Sequence, residues 1–194
     1  MKNLLFFLKN FINDPQSVGA VSASSKQLAI EICSKLPKSF QGGTIAEFGP
    51  GTGVFTSQIL SLIDSSSRFF AIEKNQMFYE QLKETFPNIE LYNMDVRKIS
   101  SLNNLKSQNY IDYIVSGLPW ANFPPNIQSE LLEATFSSLN SKGVFSTFTY
   151  ISGYFMPNGK DFRNKLKQKF SKVETSKIVW RNFPPAMVYH CHKD

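Results

Sequence analysis

The sequence of 194 residues is poor in cysteine and has no long apolar run. Its two cysteines, Cys33 and Cys191, lie far apart and outside any CxxC or His/Cys cluster, which gives no support to a disulfide framework or a zinc site. No stretch approaches the roughly 20 apolar residues that a membrane-spanning helix needs. The short apolar run near the N-terminus stops at Lys9 and leads to no small-residue cleavage site, so export is not expected. We therefore expect a reduced, cytoplasmic protein.

Positive charge exceeds negative charge, with 21 Lys and Arg against 15 Asp and Glu and a net charge of +6. This balance suits contact with an anionic surface, either nucleic acid or acidic lipid headgroups. A genome biased towards Lys, Asn and Phe codons would produce the same composition. Charge alone therefore does not choose a partner.

Residues 1–13 have an amphipathic helical pattern. At 100° per residue, most of the apolar side chains fall within about 160° of arc, and Lys and Asn side chains lie opposite. Asp14 and Pro15 then end the helix, because proline disfavours the helical conformation in the residue before it. An interfacial membrane anchor and a helix packed on the core both fit this pattern. We divide the chain into this helix and one domain, residues 14–194.

The domain alternates strand and helix patterns, as repeated βα units do. It is expected to be an α/β, Rossmann-like fold with a mostly parallel seven-stranded sheet that ends in an antiparallel hairpin. Strands are predicted over 44–48, 68–73, 89–92, 110–116, 143–150, 173–180 and 186–191, and helices over 24–36, 54–63, 76–86, 124–139 and 161–170.

A glycine loop follows the first predicted strand and leads directly into a helix. Gly49, Gly51 and Gly53 let the backbone turn tightly and approach a ligand closely, at the carboxyl end of the sheet. The loop lacks the later glycine of the dinucleotide fingerprint and the Gly-Lys-Ser/Thr of a P-loop, and NAD binding stays open as an alternative. With Glu47 two positions before the first glycine, the segment resembles motif I of class I methyltransferases, which implies S-adenosylmethionine as the cofactor.

Two further acidic residues follow the next two strands. Glu73 stands about twenty residues after the loop, where a carboxylate can bind both ribose hydroxyls. Asp95 is placed to accept a hydrogen bond from the adenine amino group, although both residues could be ordinary solvated carboxylates. The predicted cofactor-binding residues are Glu47, Gly49, Pro50, Gly51, Gly53, Glu73, Lys74, Asp95, Val96 and Ser116.

The segment 116–120, Ser-Gly-Leu-Pro-Trp, is similar to the Asn-Leu-Pro-Tyr type motif of amino-methylating enzymes of this class. In the nucleic-acid adenine methylases the asparagine amide and the proline carbonyl hold the target amino group, and Gly117 replaces that asparagine here. Trp120 is predicted to face a cationic amine or sulfonium with its ring, and a core tryptophan is the alternative. Predicted catalytic residues are Trp120 and Tyr150; predicted substrate-binding residues are Ser24, Ser25, Leu118, Pro119 and Arg181, with helix capping as the alternative for the two serines.

Four segments, within residues 13–29, 47–56, 116–119 and 182–189, resemble the bacterial phospholipid N-methyltransferase family, which is related to the ribosomal RNA adenine dimethylases. This resemblance implies successive methylation of phosphatidylethanolamine to phosphatidylcholine by an enzyme bound peripherally to the inner face of the membrane, a monomer by default. An RNA adenine N6-methyltransferase is the alternative enzyme, although no C-terminal helical RNA-binding domain follows. A membrane-binding module with a relic cofactor fold is the alternative without catalysis.

Overall fold

The computed structural model describes residues 24–102 and 111–194, so the predicted N-terminal helix over 1–13 lies outside the described residues. The strands are β1 (Thr44–Phe48), β2 (Arg68–Ile72), β3 (Glu90–Tyr92), β4 (Ile111–Ser116), β5 (Leu139–Tyr150), β6 (Lys172–Thr175) and β7 (Ala186–His192). The α-helices are α1 (Lys26–Ile32), α2 (Val54–Leu60), α3 (Gln76–Thr85), α4 (Pro125–Ser138), α5 (Ile151–Phe155) and α6 (Pro157–Lys169). In the described part of the chain, 3-10 helices cover Val96–Ser101 and Trp120–Asn122.

The strands form one sheet in the order β3-β2-β1-β4-β5-β7-β6. The first five pair in parallel, and β7 is antiparallel to both β5 and β6. The predicted fold is thereby confirmed. Strand order reverses between β1 and β4, and ligands of such sheets bind at the carboxyl ends of the strands beside that reversal.

The sheet is covered on both faces. In β1, Ala46 and Phe48 pack into a cluster with α4 and α6, whereas Ile45 packs into a second cluster with α1 and α2. This alternation follows from the period of two in an extended strand, and burial on both faces explains why every residue of β1 is buried. Within the described ranges, the structure has no helix that is both long enough and apolar enough to cross a membrane.

The largest differences from the predicted elements lie in the last third of the chain. The helix predicted over 161–170 begins at Pro157, which takes the first helical position, and α5 precedes it without having been predicted. The strand predicted over 173–180 ends at Thr175, because the Ser176 hydroxyl accepts the Val188 N–H at 2.9 Å. A side-chain oxygen there takes the place of a backbone partner in the ladder.

Candidate cofactor and acceptor site

The glycine loop after β1 needs its glycines. Gly49, Gly51 and Gly53 have φ of 69°, 55° and 82°, the left-handed region that residues with a Cβ adopt rarely. A Cβ on Gly51 would meet nothing within 4 Å, so the loop leaves open space there for a ligand. A Cβ on Gly53 would lie 2.5 Å from the ring of Phe86, so this glycine allows close packing rather than contact with a cofactor.

Glu47 is fully buried at the end of β1. The Thr56 hydroxyl donates to its Oε2 at 2.6 Å, which ties β1 to the first turn of α2. Its Oε1 has no hydrogen-bond partner within the described part of the chain. Burial raises the pKa of this carboxyl to about 8. Glu47 supports the loop from within the core and is not among the described residues that line the two cavities beside the loop.

A cavity of about 120 Å³ lies at the carboxyl ends of β2 and β3. Glu73 on its wall is 7% exposed, and its carboxylate accepts the N–H groups of Gly51 at 3.1 Å and Asn75 at 2.8 Å. Burial raises the pKa of Glu73 despite these hydrogen bonds. The described lining residues are Gly49, Ile72, Glu73, Lys74, Met94, Asp95, Val96, Arg97, Leu118, Phe123, Ile127 and Leu131.

Asp95 on the same wall is held by cations. Arg97 donates to its two oxygens at 3.0 and 2.9 Å, Lys74 Nζ lies 3.2 Å from Oδ2, and Asp95 also caps the 3-10 helix that follows. The Arg97 side chain therefore holds the pKa of Asp95 well below its usual range. The hydrogen bond from an adenine amino group to Asp95 stays a prediction, and such a bond would share this carboxylate with Arg97.

The small cavity fits the adenosine part of S-adenosylmethionine. Its apolar walls suit a flat purine, and Glu73 offers the carboxylate that a ribose requires. Gly51 leaves the adjoining space free of side chains. The predicted cofactor residues Gly49, Pro50, Gly51, Glu73, Lys74, Asp95 and Val96 all line this cavity or the neighbouring one.

A larger cavity of about 270 Å³ adjoins the small one, and Gly49 and Leu118 line both. None of its described lining residues carries a charge. Ser24, Pro119 and Tyr150 are on its wall, as the acceptor-site prediction requires. Residues that the sequence did not single out complete the wall; they include Phe55, Asn122, Phe148, Thr149, Ser152, Met156 and Pro184.

Trp120 and Ser116 are both buried at the turn that follows β4. The Trp120 side chain is 1% exposed and stacks on Phe162 with ring centroids 4.5 Å apart, so it packs in the core. Trp120 is also among the residues that line the larger cavity, and its contact with a cationic amine stays a prediction. Ser116, predicted to bind the cofactor, is fully buried; its Oγ accepts Trp120 Nε1–H at 3.1 Å and the Leu118 N–H at 3.3 Å. Both residues shape the turn that follows β4.

Gly117 packs against the glycine loop. Its N–H donates to the Phe48 carbonyl at 2.8 Å, and a Cβ at this position would lie only 2.4 Å from the Gly49 carbonyl oxygen. The position that corresponds to the motif asparagine therefore has no room for a side chain. The reason is close approach of two backbones at the carboxyl ends of β1 and β4.

Ser25 and Arg181 are not on the cavity wall. The Ser25 hydroxyl caps α1 by accepting the Leu28 N–H at 3.1 Å, which is the alternative given for this serine, and substrate binding by Ser25 stays a prediction. Arg181 is exposed beside Asn182. Asn182 is 2% exposed and has a structural role that the sequence did not predict. Its Oδ1 accepts the Ser25 N–H at 2.8 Å, and its Nδ2 donates to the Pro184 carbonyl at 2.7 Å.

Tyr150 ends β5 at the cavity wall and is half-buried. Desolvation raises the pKa of its hydroxyl to about 12. The hydroxyl therefore keeps its proton at neutral pH, so Tyr150 can orient an amine by a hydrogen bond but is not set up to act as a general base.

Comparisons with known proteins agree with this geometry. The chain is 25% identical to an ornithine lipid N-methyltransferase of Singulisphaera acidiphila over 98% of this chain and 96% of that protein. It is 30% identical to a ribosomal RNA small subunit methyltransferase A of Chlorobium phaeobacteroides over 59% of this chain, which spans only 40% of that protein. A TehB-like methyltransferase from Corynebacterium glutamicum shares the fold, with a TM-score of 0.63 and 13% identity over 100% of this chain and 97% of that one.

A family model described as ribosomal RNA adenine dimethylase matches residues 5–178, most of the chain. That match agrees with the mostly parallel sheet, with the glycine loop and with the carboxylate-lined cavity at the ends of β2 and β3. The chain is therefore a member of the ribosomal RNA adenine dimethylase family, and it is a methyltransferase that uses S-adenosylmethionine as its cofactor.

Proposed function

We propose that the chain transfers methyl groups from S-adenosylmethionine to the amine of phosphatidylethanolamine, in successive steps towards phosphatidylcholine, at a membrane surface. The packing of Gly117 carries this proposal. A nucleobase amino group is flat and needs a fixed amide partner, but the position for that partner is closed by the Gly49 carbonyl at 2.4 Å from any Cβ. A flexible alkyl amine has no such requirement.

The chemistry of the larger cavity also favours an alkyl amine. Its described walls are mostly apolar, with Phe55, Phe148 and Met156 among them, and none of them is charged. An alkyl ammonium, whose pKa in water is about 10, is disfavoured in such a place because desolvation penalises the charged form. The cavity therefore favours the neutral amine, which is the nucleophile that methyl transfer needs.

The position of the amine next to the cofactor accounts for the remaining acceleration of methyl transfer. When bound, the cofactor supplies an activated methyl group on its sulfonium sulfur. Gly49 and Leu118 border both cavities, so an amine in the larger one lies next to the cofactor pocket. The protonated Tyr150 hydroxyl can accept a hydrogen bond from an amine N–H and hold its lone pair in line with the methyl group. The ammonium proton is lost to solvent as the headgroup enters.

The relative from Singulisphaera acidiphila supports a lipid acceptor, because its name specifies an ornithine lipid and the similarity extends over 98% of this chain. RNA adenine N6-methylation is the second candidate. The family match over residues 5–178 and the net charge of +6 favour it.

The two candidates are separated by the acceptor that takes up label. The purified full chain is mixed with cofactor carrying a radiolabelled methyl group and with one of three acceptors: anionic vesicles containing phosphatidylethanolamine, the same vesicles with ornithine lipid instead, or ribosomal RNA. We expect label in phosphatidylethanolamine and, at longer times, in its dimethyl and trimethyl products. Label only in RNA, or only in ornithine lipid, would contradict the proposal.

A matched variant tests whether this activity belongs to the described site. Glu73→Gln keeps the size of the side chain but removes the charge that faces the small cavity. It should abolish label transfer to lipid at low cofactor concentration. Undiminished transfer would mean that a contaminating enzyme or another site is responsible.

A further inference from the structure

Large apolar side chains are exposed at two neighbouring places in the last third of the chain. Phe155 is 66% exposed and Met156 44% exposed at the end of α5, and Trp180 and Phe183 are 72% and 84% exposed between β6 and β7. We call these four residues the apolar rim. They are four of the seven large hydrophobic side chains that are exposed in the described part of the chain.

The apolar rim borders the larger cavity. Met156 is on the cavity wall, and so is Pro184, the neighbour of Phe183. The two segments are also joined directly, because the Ile151 N–H donates to the Pro185 carbonyl at 2.9 Å and β7 starts opposite the end of β5. The rim therefore lies beside the larger cavity, near the end of β5 and the start of β7.

The backbone under Trp180 and Phe183 is fixed. Asn182, between them, is 2% exposed and is bound through its side chain to Ser25 and Pro184 and through its N–H to the Val179 carbonyl. The two aromatic rings thus project from an anchored turn. Holding large apolar surface in water in this way is unfavourable for the free protein, which is typical of an interaction surface.

Basic residues outnumber acidic ones around the apolar rim. Lys26, Lys160, Lys177 and Arg181 are exposed in the segments 24–31, 150–161 and 176–185. These segments contain two acidic residues, Glu31 and Asp161, and Asp161 forms an ion pair with Lys165. An anionic lipid surface attracts such basic side chains. Tryptophan and phenylalanine with basic neighbours are the residues that insert at the boundary of headgroups and acyl chains.

We propose that the apolar rim docks on an anionic bilayer, with Trp180 and Phe183 inserted at the interface and the larger cavity opening directly onto the lipid headgroups. This inference rests on the proposed lipid function for the meaning of the cavity. The docking itself is a separate property, because vesicles without any methyl acceptor can measure it.

The first test is sedimentation of the full chain with vesicles of phosphatidylcholine and phosphatidylglycerol. The double variant Trp180→Ser/Phe183→Ser should bind about tenfold more weakly or worse, because one inserted aromatic ring accounts for at least a tenfold change in partitioning. Leu60→Ser is the matched control, since Leu60 is 37% exposed at the end of α2, away from the rim. We expect the control to bind like the natural sequence.

The second test uses the two tryptophans, of which Trp180 is exposed and Trp120 is buried. Vesicles that contain brominated phosphatidylcholine should quench and blue-shift the emission of Trp180 in the natural sequence. The variant Trp180→Phe keeps an aromatic ring at the rim, so it should still sediment while its remaining emission escapes quenching. This measurement does not depend on the double variant folding.

Three results would overturn the proposal: no binding of the natural sequence to anionic vesicles, unchanged binding by the double variant, or bound protein whose Trp180 is not quenched. A Phe7→Ser/Phe11→Ser variant in the predicted N-terminal helix serves as a comparison. If this variant loses vesicle binding while the rim double variant binds fully, docking belongs to that helix and the proposed role of the apolar rim is wrong. Docking without label in any lipid would contradict the proposed function and leave the rim intact.

Discussion

Replacing Gly117 by asparagine, which restores the motif residue of the adenine methylases, should damage the cofactor site. Gly117 does not have a left-handed φ, so the cost is purely steric. Its Cβ would lie 2.4 Å from the Gly49 oxygen, about 0.6 Å closer than the 3.0 Å below which such contacts essentially never occur. The Gly49 backbone must move, yet its N–H is bound to the Ile72 carbonyl at 2.9 Å.

Overpacking of this kind costs about 1–3 kcal/mol. For a chain of this size the loss corresponds to a fall in Tm of about 2 to 12 °C. Because Gly49 borders both cavities, the displaced loop should also weaken cofactor binding about tenfold or more, which calorimetry with S-adenosylmethionine measures. Gly42→Asn is the control, because it adds the same side chain at an exposed glycine with open space around it. Gly42 has a φ of 71°, which asparagine adopts more readily than other residues with a Cβ, so the backbone cost of this control is small. If Gly117→Asn matches this control in Tm and in cofactor affinity, the steric reasoning is wrong.

Three other predictions follow from the same site. Glu73→Gln should weaken cofactor binding about tenfold to a hundredfold, since hydrogen bonds to a charged group contribute about 1.5–3 kcal/mol, and equal affinity in calorimetry would contradict the ribose assignment. Asn182→Ala should lower the free energy of unfolding by about 1–3 kcal/mol because it leaves the Ser25 N–H without its acceptor, and an unchanged denaturation midpoint would speak against this. The pKa of Glu47 is raised from 4.5 to about 8 in the folded state, so the native protein holds this proton more tightly and stability should fall as pH rises from about 5 to 8. Glu47→Gln should remove this part of the decline, which denaturant titrations at pH 5 and pH 8 measure.

The cofactor half of the site could be predicted from the sequence because its residues follow strand ends. Glu73 and Asp95 come directly after β2 and β3, and parallel strands bring their carboxyl ends to one edge of the sheet. The three glycines are separated by one residue each, so a local pattern was enough to predict the loop. Seven of the ten predicted cofactor residues accordingly line the two cavities.

The acceptor half was less accessible to sequence reasoning, because its walls come from distant segments. Phe55 lies in α2, Phe148 in β5 and Pro184 in the turn before β7, and no local spacing connects them. The bond between Asn182 and Ser25 joins residues 157 positions apart. A polar residue that is buried through a long-range backbone contact has no signature in composition or periodicity.

The positions of residues 116–120 in the structure show why a motif alone does not identify the methyl acceptor. The Ser116 hydroxyl accepts a hydrogen bond from Trp120 Nε1–H, and Phe162 of α6 stacks on the Trp120 ring, so the aromatic residue of the motif packs in the core. Gly117 lets the backbone after β4 approach the Gly49 backbone closely, at the position where an asparagine amide would bind a nucleobase. Leu118 and Pro119 of this motif line the larger cavity together with Tyr150 at the end of β5. The rest of the cavity wall includes residues from the end of β5, from α5 and from the turn before β7, and the last two of these segments adjoin the apolar rim.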